Sequence, residues 1–217
     1  MRETMGRMRI GVLSSGRGSN FQSIAEAIRK GEINAEIAVL VCNVPGAGAI
    51  DRARALGVPS MVIDHAPYGK DREGFERAVA AELTRHEVEL VVLAGFMRLL
   101  SPYFLRQFPH RILNIHPSLL PAFPGAHGIR DAIEHGAKVT GLTVHLVDES
   151  LDGGPIVLQK AVAVSEGDPE EVLAARVLEW EHVMYPLAVK LFVEGRLKVE
   201  GRRVHVDWSG IERPTVP

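Results

Sequence analysis

The 217-residue chain has one cysteine, Cys42, which excludes an intrachain disulfide and any metal site built on a cysteine cluster. Cys42 closes the apolar run 37–42 and reads as a buried strand thiol. Charge of one sign is also lacking. Lys and Arg number 25 against 27 Asp and Glu, a net of −2, so no overall basic field recruits nucleic acid. The longest apolar run, 90–97, is too short to span a bilayer. Residues 1–8 are polar and offer no signal-peptide core. Internal repeats, low-complexity segments and a His-Glu-x-x-His pattern are all missing, so no catalytic metal is expected. These absences point to a reducing cytoplasm, with no membrane or nucleic-acid partner. Nothing selects between a monomer and a homodimer.

What is present suits one globular core: 46% of residues are apolar and 24% charged. Apolar strand-like runs at 10–13, 37–42, 61–63, 90–93 and 112–115 alternate with helical patterns at 21–30, 49–56 and 71–86. That alternation predicts an α/β fold with a mostly parallel, Rossmann-like sheet covered by helices on both faces. The second half changes character. Runs at 141–147 and 156–164 predict longer strands in a mixed or antiparallel C-terminal extension. Asp168-Pro169-Glu170-Glu171 reads as a helix start with Asp168 as cap and Pro169 at the first position. The stripe Leu173, Val177, Trp180, Met184 continues that helix until Pro186, which is expected to kink or divide it. Segments 197–200 and 203–206 predict a hairpin around Gly201, and 212–217 a loose tail. No linker separates independent domains, so 1–217 reads as a single domain.

Three stretches carry chemistry. Gly16-Arg17-Gly18-Ser19-Asn20 joins the first strand to the first helix. Backbone N–H groups and the helix dipole make such a turn an anion site. Its spacing fits a phosphate loop and a plain strand-to-helix turn about equally. It is not a dinucleotide fingerprint, because Phe21 stands where a third glycine belongs. Asn114-Ile115-His116-Pro117-Ser118-Leu119-Leu120-Pro121 ends a strand with two polar side chains on one face, since strand side chains alternate. One is an amide donor, the other a group that can carry a proton. Asp152 follows 36 residues later in Leu151-Asp152-Gly153-Gly154-Pro155. By itself it reads first as a turn residue. An amide, an imidazole and a carboxylate together could stabilise an oxyanion and move a proton.

The pairing of NIHPSLLP with LDGGP resembles the formyltransferase family that uses 10-formyltetrahydrofolate, nearest to its branch acting on 5′-phosphoribosylglycinamide in purine synthesis. The resemblance runs from about Met8 to about Lys198 and includes Leu93-Ala94-Gly95-Phe96-Met97-Arg98 and Glu181-His182-x-x-Tyr185-Pro186. It implies formyl transfer to the glycinamide amine, with 10-formyltetrahydrofolate as co-substrate. It selects Asn114, His116 and Asp152 as catalytic residues, with Asp152 orienting His116 and favouring its charged form. It assigns Gly18, Ser19 and Asn20 to the ribonucleotide phosphate and Glu181 to the ribonucleotide's ribose or amine side. Arg72, Met97, Arg98, Leu99, Leu100 and Asn114 fall to the folate. The chain then divides into a phosphate-binding half, about 8–100, and a folate and catalytic half, about 101–200. The resemblance breaks at Gly128-Ile129, where relatives more often carry Thr-His, so no second histidine acts there. Other readings are a formyltetrahydrofolate deformylase, expected to have an N-terminal regulatory domain, and a non-catalytic folate or nucleotide module. A methionyl-tRNA formyltransferase would carry a further RNA-binding domain and a basic charge.

Overall fold

A computed structural model describes residues 6–213, so most of the expected tail at 212–217 lies outside the described residues. The chain divides into two compact units, Met1–Ile112 and Leu113–Pro217.

The first unit is built as the alternating pattern predicts. Its strands are β1 (Met8–Ser14), β2 (Ala35–Cys42), β3 (Ser60–Val62) and β4 (Leu90–Leu93). All pair in parallel, in the order β3-β2-β1-β4. Residues Ile10–Ser14 are buried without alternation, so both sheet faces are covered. Helices α1 (Ser19–Arg29) and α2 (Gly48–Leu56) pack together and against β2. Helix α3 (Arg72–Arg85) lays Leu83 over Gly11 of β1, where a side chain would collide with it. A short helix missed by periodicity, α4 (Pro102–Gln107), packs on α3. Six residues hold too few turns for a readable apolar stripe. Its cap, Ser101, is held by the buried Glu76 carboxylate, which accepts Ser101 N–H at 2.8 Å and the Ser101 hydroxyl. Cys42 is buried on β2 as expected, and burial pushes its thiol pKa up.

The second unit is mixed. Its strands are β5 (Ile112–His116), β6 (Val139–Leu146), β7 (Ile156–Ala163), β8 (Leu197–Glu200) and β9 (Arg203–Val206). Strand β6 runs antiparallel to both β5 and β7, and β8 and β9 form the predicted hairpin. A second short helix, α5 (Gly128–Glu134), also lay below the reach of periodicity. Helix α6 (Glu170–Val193) packs on β6 and β7 and buries Leu173, Val177, Met184 and Ala188.

At α6 the division expected as one alternative at Pro186 and the cap expected at Asp168 are corrected. Pro186 lies inside the helix and does not divide it. One backbone bond is forgone, and the buried stripe on both sides holds the helix continuous. Asp168 is not the cap either. The helix starts at Glu170, Pro169 occupies the cap position, and Asp168 accepts Ser165 N–H and two bonds from Arg176. A fork-shaped guanidinium outcompetes a single backbone N–H for that carboxylate. The Arg176 bond, then the Ser165 N–H, holds the Asp168 carboxyl below its ordinary range. Its stabilising effect is therefore present above the unfolded value of about 4 and is lost as pH falls through the folded value. Arg176→Met keeps the stem and deletes the charge. It should lower stability at neutrality, where the pair contributes fully, and move the acid-unfolding midpoint to higher pH; an unmoved midpoint in a circular-dichroism titration would count against the pair.

Candidate active site

The turn between β1 and α1 is strapped by its carbonyls. Gly16 O accepts Ala49 N–H at 3.0 Å, Arg17 O accepts Arg52 Nε–H at 2.8 Å, and Gly18 O accepts Gln22 N–H at 3.0 Å. These bonds turn the oxygens to α1 and α2, and the N–H groups of a helix start suit an anion. Gly18 is the helix cap, in the left-handed region at φ 74°, and a Cβ there would sit 2.7 Å from Ala49. Only glycine fits, so a bulky substitution at Gly18 would disturb helix packing as well as any ligand. Ser19 and Asn20 open α1 and neither serves as its cap.

The loop after β4 lies at the carboxyl end of a parallel strand, where α/β sheets bind ligands. Met97 and Leu99 are 73% and 61% exposed. The loop is tied to the β1 turn: Met97 N–H donates to Ser15 Oγ at 2.9 Å, and Ser15 N–H to Gly95 O at 3.0 Å. Arg98 stacks its guanidinium over the Phe75 ring at 5.2 Å. Arg72, at the first position of α3, pairs with buried Glu76 at 3.3 Å and is partly exposed. It is neither freely solvated nor turned to the Met97 loop by any of these contacts.

In the second unit the strand pleat places Asn114 and His116 on one face, as predicted, and the fold brings Asp152 to them. His116 is 4% exposed. Its Nε2 lies 2.8 Å from Phe123 O and its Nδ1 3.5 Å from Asp152 Oδ2, so both ring nitrogens face acceptors. Asp152 Oδ2 also accepts Gly125 N–H at 2.8 Å. Asp152 has φ 48°, so it is a turn residue and a site neighbour at once. A Cβ at Gly154 would run into the Leu146 carbonyl, which explains the second glycine of the motif. The 117–121 segment is anchored by buried Thr143, whose hydroxyl donates to Ser118 O at 2.7 Å and accepts Leu120 N–H at 3.0 Å. Glu181 is 8% exposed on α6, buried rather than on a solvated helix face. One turn on, Tyr185 OH donates to Leu113 O at 2.9 Å and ties that helix to β5.

Spacing did not single out His145. It stands opposite Asn114 in the β5–β6 register, 2% exposed, with Nε2 3.2 Å from Asn114 Nδ2 and 3.8 Å from Asp152 Oδ1. Burial pushes its pKa down. Among the described residues no group of three His, Cys, Asp or Glu side chains is arranged to hold a metal ion, and no helix is long and apolar enough to cross a membrane.

Residues 8–189 match the formyl transferase family. The chain belongs to that family. Among other formyl transferases, the phosphoribosylglycinamide formyltransferase of Bacillus subtilis is 44% identical over 179 residues, 82% of this chain and 91% of its own. The crystal structure of glycinamide ribonucleotide transformylase 1 from Symbiobacterium toebii matches with a TM-score of 0.92 at 49% identity, covering 95% of this chain and 97% of that one. A formyltetrahydrofolate deformylase from Pseudomonas syringae matches with a TM-score of 0.86 at 27% identity, covering 93% of this chain and 66% of that one. The α/β class and the family expected from the motifs both hold.

Proposed function

We propose that this formyl transferase moves the formyl group of 10-formyltetrahydrofolate to the primary amine of 5′-phosphoribosylglycinamide, giving the N-formyl product and tetrahydrofolate in de novo purine synthesis. The reading is carried by the joining of Asn114, His116 and Asp152 in a chain 49% identical to a glycinamide ribonucleotide transformylase over nearly its whole length. Both units contribute to one formyltransferase domain. The N–H edge of Gly18, Ser19 and Asn20 holds the phosphate, and Glu181 the ribose or amine side. The pterin takes backbone groups of Met97, Arg98, Leu99 and Leu100, with Arg72 at the benzoyl or glutamate portion and Asn114 at the formyl end. The substrates are small molecules met in the cytoplasm, by a monomer or a homodimer.

The amine nitrogen attacks the formyl carbon directly, so no enzyme nucleophile is required. The tetrahedral intermediate carries an oxyanion and a positive nitrogen. Asn114 donates to the oxyanion, and a charged His116 ring beside it opposes the same charge. Asp152 orients that ring. The C–N bond to the folate nitrogen then breaks as a proton passes from the amine to that nitrogen, through His116 or a water.

The likeness to a deformylase supports a second reading, in which water replaces the amine. Purified protein is expected to form tetrahydrofolate from 10-formyltetrahydrofolate only when phosphoribosylglycinamide is supplied. Formate release at the same rate without the ribonucleotide would establish the hydrolase instead.

A further inference from the structure

A carboxamide is nearly symmetric in shape, so an oxyanion donor must be told which end is nitrogen. Asn114 makes one contact that can do this, to His145 Nε2 at 3.2 Å. The other ring nitrogen, Nδ1, lies 3.0 Å from Leu146 O. A carbonyl accepts only, so Nδ1 carries the hydrogen. In a neutral ring that leaves a lone pair on Nε2, and a lone pair accepts only from the amide nitrogen. We propose that His145 is a positioning residue, holding the Asn114 carboxamide with its nitrogen toward the ring and its second N–H free for the oxyanion. This rests on the role given to Asn114 above.

The surroundings support a neutral ring. His145 is buried between β5 and β7, and burial is the largest influence on it. The charged groups facing it oppose one another: Asp152 and Asp148 favour its cation, and His116 disfavours it. A cationic ring would turn an Nε2–H toward Asn114. The amide would then present its oxygen to the ring and swing its NH₂ group to the opposite edge. Cross-strand pairing explains why one residue can govern the other, because directly opposed side chains share a face.

Two variants separate positioning from packing. His145→Leu removes the acceptor, whereas His145→Gln retains one that cannot be protonated. Leu should lower kcat roughly 10- to 100-fold, the scale of a misplaced catalytic group, with KM for both substrates nearly unchanged. Gln should restore most of that loss. Nitrogen-15 NMR of the wild-type imidazoles near pH 7.5 should show His145 as the neutral Nδ1–H tautomer, with a hydrogen bond from the Asn114 amide to Nε2. A ring bearing its hydrogen on Nε2, or a folded Leu variant with wild-type kcat, overturns the assignment. If the Leu variant does not fold, the tautomer and the Gln variant decide. Should wild-type protein fail to formylate phosphoribosylglycinamide, the proposed function falls, while the tautomer still reports on the His145–Asn114 link.

Discussion

Asp152→Asn is expected to lower kcat by about 10²- to 10⁴-fold, the cost of a compromised proton transfer. The substitution is chosen for its backbone. Asp152 sits at φ 48°, and asparagine enters that left-handed region as readily as aspartate, so the turn should survive. An amide can still accept Gly125 N–H, which the carboxylate takes at 2.8 Å. It cannot supply negative charge 3.5 Å from His116 Nδ1. The ring then loses the group that orients it and balances its charge as the oxyanion forms, so kcat should fall much further than KM changes for either substrate. Steady-state kinetics at saturating substrates, with thermal unfolding measured on the same preparation, would decide the point. A stably folded variant with near-normal kcat would leave Asp152 as a turn residue only.

Asn114→Ala should cost about 10²- to 10³-fold in kcat, the usual effect of deleting an oxyanion donor. Oxyanion charge exists only in the transition state and intermediate, so ground-state affinities should change much less. The variant also strips His145 Nε2 of its donor. A transition-state analogue carrying the tetrahedral carbon should lose affinity by a factor similar to the loss in kcat, while unreacted folate should not. Equal losses for analogue and substrate would mean that Asn114 binds without catalysing.

The parts of the fold readable from residue order are those set by local periodicity. The apolar runs at 10–13 and 90–93, alternating with helical patterns, meant strands covered on both faces, and they are buried in a parallel sheet. Gly57 ends α2 at φ 68°, the conformation its place after a helical pattern implies. Where local signals competed, the reading missed. Asp168 had the look of a helix cap until Arg176, two turns along, took its carboxylate. Pro186 carries a strong breaking signal, and buried packing on either side of it prevailed. Helices α4 and α5 were too short to show a period.

The site divides along the same line. Residue order alone determined that Asn114 and His116 share a strand face, because the pleat has period two, and that a glycine turn opens a helix whose N–H groups could meet an anion. The motifs likewise carried the family. Tertiary structure alone decided that Asp152 lies within 3.5 Å of His116 and that His145, one of nine histidines, is the partner of Asn114. Those contacts depend on the antiparallel register of β5 with β6 and on the path of the loop from β6 to β7. Register is set by pairing between distant segments, and shifting it by one residue would turn His145 to the opposite face.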